Sequence, residues 1–224
     1  MRQQALTKKL AVLAMLSALA YLVMFVGRIP AVPVFPGFVL NYEPKDVIIA
    51  IGGFLFGPLS AFAMSAVVSL VEMITVSSTG WIGCVMNIVS TCSFVCTAAF
   101  IYHRKRGIKT AALGLAAGLV RMTAVMILWN YFLTPIYTGM PRDAVAKLLI
   151  PAFLPFNLLK GGLNAGVTML IYKPVTVALR KSRLLPVPEN AESVKGRVNI
   201  GAILLSCFVI ITCVLFILVF RGNI

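Results

Sequence analysis

Acidic residues are scarce in this chain, with six Asp and Glu among 224 residues, and histidine occurs once. Paired-carboxylate hydrolysis and a carboxylate-lined proton relay both need more acids than that. A single histidine excludes an HExxH metal site, and no Gly-Lys pair exists from which a GxxxxGK[ST] phosphate loop could be built. His103 stands in the basic run His103-Arg-Lys-Arg106, where a solvated loop position is expected. The five cysteines, at 84, 92, 96, 207 and 213, lie in apolar runs with no histidine to share a metal, and they read as small apolar residues. Charge of either sign is thin, at 12% against 60% hydrophobic content, and the mean hydropathy is +0.99. Too little polar surface is available to enclose a soluble core of this size, so the chain belongs in a bilayer.

A spanning helix needs about 20 predominantly apolar residues, and the chain offers seven candidate segments. The first runs from Leu10 to Gly27 and is too long for a removable signal peptide. A thirty-residue apolar run from Val47 to Val76, broken by Gly52-Gly53 and Gly57-Pro58, reads as a short second span folding back into a third. The others are Ile82 to Tyr102, Thr110 to Leu133, Leu149 to Tyr172 and Ile200 to Phe220. The expected fold is therefore an all-α membrane protein. A bundle of six helices occupies 1–182, a polar cytoplasmic linker 183–199, and an additional transmembrane helix 200–224.

Net charge of +14 is read here as topology. Arg2, Lys8 and Lys9 precede the first span, Arg104, Lys105, Arg106 and Lys109 join the fourth and fifth, and Lys173, Arg180, Lys181, Arg183, Lys195 and Arg197 join the sixth and seventh. All three clusters fall on one side of seven spans, leaving Arg28, Lys45, Arg142, Lys147 and Arg221 opposite. Short cytoplasmic loops collect Lys and Arg, so the N-terminus is expected in the cytoplasm and the C-terminus outside. Nucleic acid is not required as a partner.

Polar residues inside apolar helices need a reason, because a charge at the bilayer centre costs roughly 2.5–3.5 kcal/mol on insertion scales. Arg121 sits in the middle of the fifth span, and an ion pair with Glu72 is its plain structural reading, set against a ligand role. Asn157, Lys160 and Asn164 recur at i, i+3 and i+7 and share a helical face. With Asn87 and Asn130 at similar depth, they favour a pocket for a planar or sugar-like polar molecule over simple helix bridging, since an amide both donates and accepts. Gly161-Gly162 allows close approach. Asp46 is expected to cap the second span, and the proline-stiffened segment from Pro30 to Leu40 before it suits a lid over the pocket mouth. Ala11, Ala14 and Ala18 line one side of the first span, where small residues permit contact with another helix or packing within the bundle.

Several of these features in order resemble the substrate-binding S components of energy-coupling-factor (ECF) vitamin transporters over residues 8 to 180. They are the Ala14-xxx-Ala18 pattern, the loop ending in an acid before the second span and the turn Gly52-Gly-Phe-Leu-Phe-Gly-Pro-Leu-Ser-Ala-Phe62. The riboflavin-specific branch is the most similar, through Asn130-Tyr131-Phe132-Leu-Thr-Pro135-Ile-Tyr137 and Leu154-Pro-Phe-Asn157-Leu-Leu-Lys160-Gly161. The resemblance implies a six-helix fold that is not an enzyme and carries no cofactor of its own. It implies that riboflavin or a related flavin is held near the outer face beneath the first loop, by Asn157, Lys160 and Asn164 with Asn87, Asn130, Tyr42 and Asp46. Ala14 and Ala18 would contact a transmembrane coupling subunit driven by two ATPase subunits. Two features depart from the pattern: Asp46 is followed by Val47-Ile48 where the family often has Ile-Pro, and a seventh apolar segment follows the usual six. An S component for another vitamin, a membrane enzyme acting on lipid or isoprenoid substrates, and an orphan scaffold whose intramembrane charges merely pair are the alternative readings.

Overall fold

A computed structural model of the chain describes residues 2–35, 38–77, 79–182 and 200–220. The polar linker 183–199 and Arg221 lie outside the described residues. The chain runs through α1 (Arg2–Gly27), a hairpin of β1 (Ile29–Phe35) and β2 (Phe38–Tyr42), α2 (Lys45–Phe56), α3 (Pro58–Thr75) and α4 (Gly80–Thr91). It continues through α5 (Thr97–Arg104), α6 (Ile108–Thr138), α7 (Arg142–Leu148), α8 (Leu154–Lys181) and α9 (Ile200–Phe220). Among the described residues six helical stretches are long and apolar enough to cross a membrane.

The expected short second span corresponds to α2, which is not one of those six: its 12 residues rise only about 18 Å, less than the roughly 30 Å of a hydrocarbon core. Its ten residues from Lys45 to Phe54 are buried, as expected of a helix that is apolar all round, and it touches α1, α3, α5 and α8. Gly52 and Gly53 do not interrupt it: they sit inside the helix, where a Cβ on Gly53 would stand 3.1–3.3 Å from Ala61, Ala99 and Val95. The break comes at Gly57-Pro58, where Gly57 takes φ +97°, a conformation that suits glycine, and Pro58 starts α3. The π-helical turn Cys92–Cys96 joins α4 to α5, and a second, Leu149–Phe153, precedes α8 and contains Pro151.

The half of the bundle nearest the basic loops is filled tightly. Phe94, Val95, Ala98 and Ala99 from the α4–α5 stretch meet Ala50 and Phe54 of α2, Ala61, Met64 and Val68 of α3, and Leu115 and Met122 of α6. Within a bilayer no hydrophobic force drives helices together, so closeness of backbones supplies the attraction. Gly114 and Gly118 of α6 provide it, since a Cβ would stand 2.8 Å from Ala98 O and 2.3 Å from Phe94 O respectively. Near the floor, the Tyr102 and Tyr172 hydroxyls share a short hydrogen bond and their rings enclose Phe54 at centroid distances of 4.6 and 5.5 Å. His103 is not a free loop residue as expected: it lies in the last turn of α5, half-buried, with Nε2 3.2 Å from Gly53 O.

The proline-rich approach to α2 is an antiparallel hairpin, with Ile29 opposite Tyr42 and Val32 opposite Leu40. Register irregularities fall between Pro30 and Val32 and between Pro33 and Phe35, where prolines cannot donate to the ladder. Arg121 is exposed and donates to Thr97 Oγ1 at 3.1 Å, which corrects its expected pairing with Glu72. The two residues face different helices: Glu72 points toward α2, while Arg121 lies on the α5 side of α6. Replacing Gly118 by Ala is expected to destabilise the folded chain by about 1–3 kcal/mol, because the obstructing atom is backbone. Gly107→Ala, at extended φ and with a Cβ meeting only Thr110 Oγ1 at an ordinary contact distance of 3.9 Å, should stay within about 0.5 kcal/mol in the same detergent thermal unfolding series.

Candidate functional site

Above the packed half, toward the hairpin, the bundle encloses a cavity of about 320 Å³. Its walls come from Val39, Leu40 and Asn41 of β2, Glu72 of α3, Met86 and Asn87 of α4, Met126 and Asn130 of α6, and Asn157 and Lys160 of α8. Phe153 and Phe156 add an apolar side. The size and the mixture of apolar wall with a few converging polar groups suit a small-molecule ligand.

The polar framework begins at the first two residues of α2, Lys45 and Asp46, both completely buried. Lys45 Nζ lies 2.9 Å from Glu43 Oε2 and makes a very short contact with Glu72 Oε2. Arg28 Nε reaches Glu43 Oε1 at 3.3 Å, and Asn87 Nδ2 donates to Glu72 Oε1 at 3.0 Å. Asp46 turns the other way, accepting Thr91 Oγ1 at 2.7 Å and Asn164 Nδ2 at 3.2 Å, with Lys160 Nζ at 3.7 Å. Tyr42 OH donates to Asn164 Oδ1 at 3.0 Å. Arg28, Lys45 and Lys160 thus balance Glu43, Asp46 and Glu72, which is how charges persist in a low-dielectric interior. Burial alone would raise the Glu43 carboxyl pKa, but Lys45, Lys160 and Arg28 outweigh it and hold the group below the usual carboxylate range. Burial, reinforced by Asp46, pushes the Tyr42 hydroxyl upward, so it stays a donor.

Of the residues expected at a pocket, Asn87, Asn130, Asn157 and Lys160 line this cavity. Asn164, Tyr42 and Asp46 lie in the hydrogen-bonded layer around Lys160 instead. Asp46 does not cap α2, which has no side-chain cap; its carboxylate is spent on Thr91 and Asn164. Asn130 and Asn157 each donate back to their own helix, to Met126 O and Phe153 O, both at 2.7 Å. Arg28, Glu43, Lys45 and Glu72 were not expected in the site. Glu72 carried a signal, an acid within an apolar span, but its partner was misassigned. Met86, Met126, Phe153 and Phe156 carried none, since an apolar cavity wall and an apolar core have the same sequence.

Removing Lys45 would leave Glu72 with only the Asn87 amide and Glu43 with Arg28 as its remaining ion-pair partner. Lys45→Met is expected to lose roughly 3–5 kcal/mol of stability, while Lys45→Met with Glu72→Met recovers part of that loss. Thermal unfolding of the two variants in detergent measures both.

The family profile described as "ECF transporter, substrate-specific component" matches residues 8–172. The chain is 30% identical over 181 residues to "Riboflavin transporter RibU" of Staphylococcus aureus (strain TCH60), covering 78% of this chain and 93% of that protein. It is 29% identical over 175 residues to "Riboflavin transporter FmnP" of Bacillus subtilis (strain 168), covering 74% and 90%. A solved structure described as the S component of a bacterial ECF transporter superposes with a TM-score of 0.65 at 29% identity, over 78% of this chain and 98% of that one. These likenesses run across the six-helix bundle that carries the cavity, and the chain belongs to the substrate-specific components of ECF transporters.

Proposed function

We propose that this chain captures riboflavin, or a close flavin, from outside the cell and hands it to an ECF complex for import. One observation carries the reading: in a chain similar to riboflavin transporters, amides and an ammonium line a partly apolar cavity beneath a hairpin. A flavin presents a flat tricycle with imide and carbonyl edges and a hydroxylated tail. Asn87, Asn130, Asn157 and Lys160 supply donors and acceptors for those edges, and Met86, Met126, Phe153 and Phe156 offer soft and aromatic surfaces to its faces. The even charge balance around the cavity suits an uncharged ligand. Asn164, Tyr42 and Asp46 hold Lys160 in position from behind.

The membrane component needs energy from its ECF partners, and we assign the contact with the transmembrane coupling subunit, itself worked by two ATPase subunits, to Ala14 and Ala18. Both are exposed while Val12, Leu16 and Ala20 of the same helix are buried, so the alanines face away from the bundle. The N-terminus is cytoplasmic and the C-terminus outside, which puts the hairpin and cavity on the outer side.

Riboflavin fluorescence should be quenched on titration with the purified protein, and Lys160→Ala should weaken binding by about 1–3 kcal/mol. Absence of quenching at micromolar flavin, with another vitamin bound instead, reassigns the cargo within the family. Ala14→Trp and Ala18→Trp should abolish cellular uptake and co-purification of the coupling subunit with flavin affinity nearly unchanged; retained uptake by an intact complex excludes the assigned contact. A reporter fused after Ile224 should lie outside and one fused within 183–199 inside, and both on one side would remove α9 as a span.

A further inference from the structure

The helix α9 lies beyond residues 8–172, the part of the chain that matches the family. It is not a loose appendage. Gly162 and Gly166 of α8 let it approach closely: a Cβ on Gly162 would stand 3.0 Å from Cys213 Sγ, and one on Gly166 2.9 Å from Ile210 Cγ1 and 3.3 Å from Ser206 O. Its outer part also touches β1. Cys213 and Ile217 are buried in one apolar cluster with Ala31, Val32 and Tyr42 of the hairpin and Phe156, Leu159 and Leu163 of α8, with Leu40 packed against it.

That cluster and the cavity share walls. Leu40 and Phe156 belong to both. Tyr42 belongs to the cluster by its ring and, by its hydroxyl, to the chain through Asn164 and Asp46 to Lys160. A two-stranded hairpin is at best marginally stable by itself, so what it packs on decides how firmly it stays down.

We propose that Cys213 and Ile217 are positioning residues for ligand retention: through them α9 braces the hairpin over the cavity and sets how fast a bound molecule leaves. This rests on the reading of the cavity as a flavin site. Among the described residues the bundle's tight half, where α1 to α6 meet, contains no residue of α9, so loosening the brace should act on the hairpin and leave the bundle folded.

The test uses the full-length chain in detergent with Ile217→Ala, and with Phe208→Ala, on the exposed face of α9, as the control. Amide hydrogen exchange without ligand should speed up in residues 29–42 but not in α3 or α6. Riboflavin dissociation should accelerate about tenfold with an association rate little changed, the size expected when part of a buried side chain's packing is lost only in the closed state. Phe208→Ala should change neither. Unaltered hairpin exchange in folded Ile217→Ala overturns the brace, whether or not the cavity takes riboflavin, because that arm involves no ligand. Altered exchange with unaltered dissociation overturns the retention role. Should Ile217→Ala fail to fold, Val209→Ala, which packs against the same cluster, carries both measurements.

Discussion

Five buried charges, Glu43, Lys45, Asp46, Glu72 and Lys160, meet around the start of α2 and must be neutralised locally, and much of the hairpin half of this protein is arranged to do so. Lys45 draws Glu43 from the end of the hairpin and Glu72 from α3, while its neighbour Asp46 draws Asn164 and Lys160 from α8 and Thr91 from α4. In water such pairs would be worth little, but in this interior an unmatched partner is costly, so the clusters act as constraints on geometry. They specify the depth of α2 and the placement of the chain that enters it.

The constraint also explains why the bundle is dense at one end and hollow at the other. At the basic end the helices touch through Gly53, Gly114, Gly118 and alanines, and backbone packs closely on backbone. At the other end the polar side chains of α2, α3, α4 and α8 need room for their partners, and helices held apart by Lys160, Glu72 and the four-atom amides leave a cavity between them. The same groups that would be costly facing lipid become, facing inward, polar walls of the cavity.

Surfaces divide in a similar way. Ala14 and Ala18 turn outward from α1, α9 lays a small fraction of its surface on α8 and the hairpin, and large apolar side chains such as Phe208 remain on the outside. Arg121 also stays on the exterior, tied only to Thr97 in the described contacts, and nothing in the cavity uses it.

Hydropathy, proline and glycine placement and the clustering of Lys and Arg are one-dimensional properties, and from them the sequence by itself determined a membrane bundle, the turn at Gly57-Pro58 and the last helix, while the second apolar segment proved too short a helix to count as a span by length. Helical spacing was enough to put Asn157 and Lys160 on one face, and residue order was enough to identify the family. Only the tertiary structure decided that Glu72 meets Lys45 instead of Arg121, that Asp46 reaches Thr91 and Asn164 instead of capping its helix, and that Asn164 and Tyr42 stand behind the cavity wall. It likewise decided that His103 returns to Gly53 O and that the proline segment pairs as a hairpin. The reason is physical: local spacing fixes which side chains share a face, whereas partners separated by tens of residues are chosen by how helices cross and by which arrangement leaves no buried charge alone.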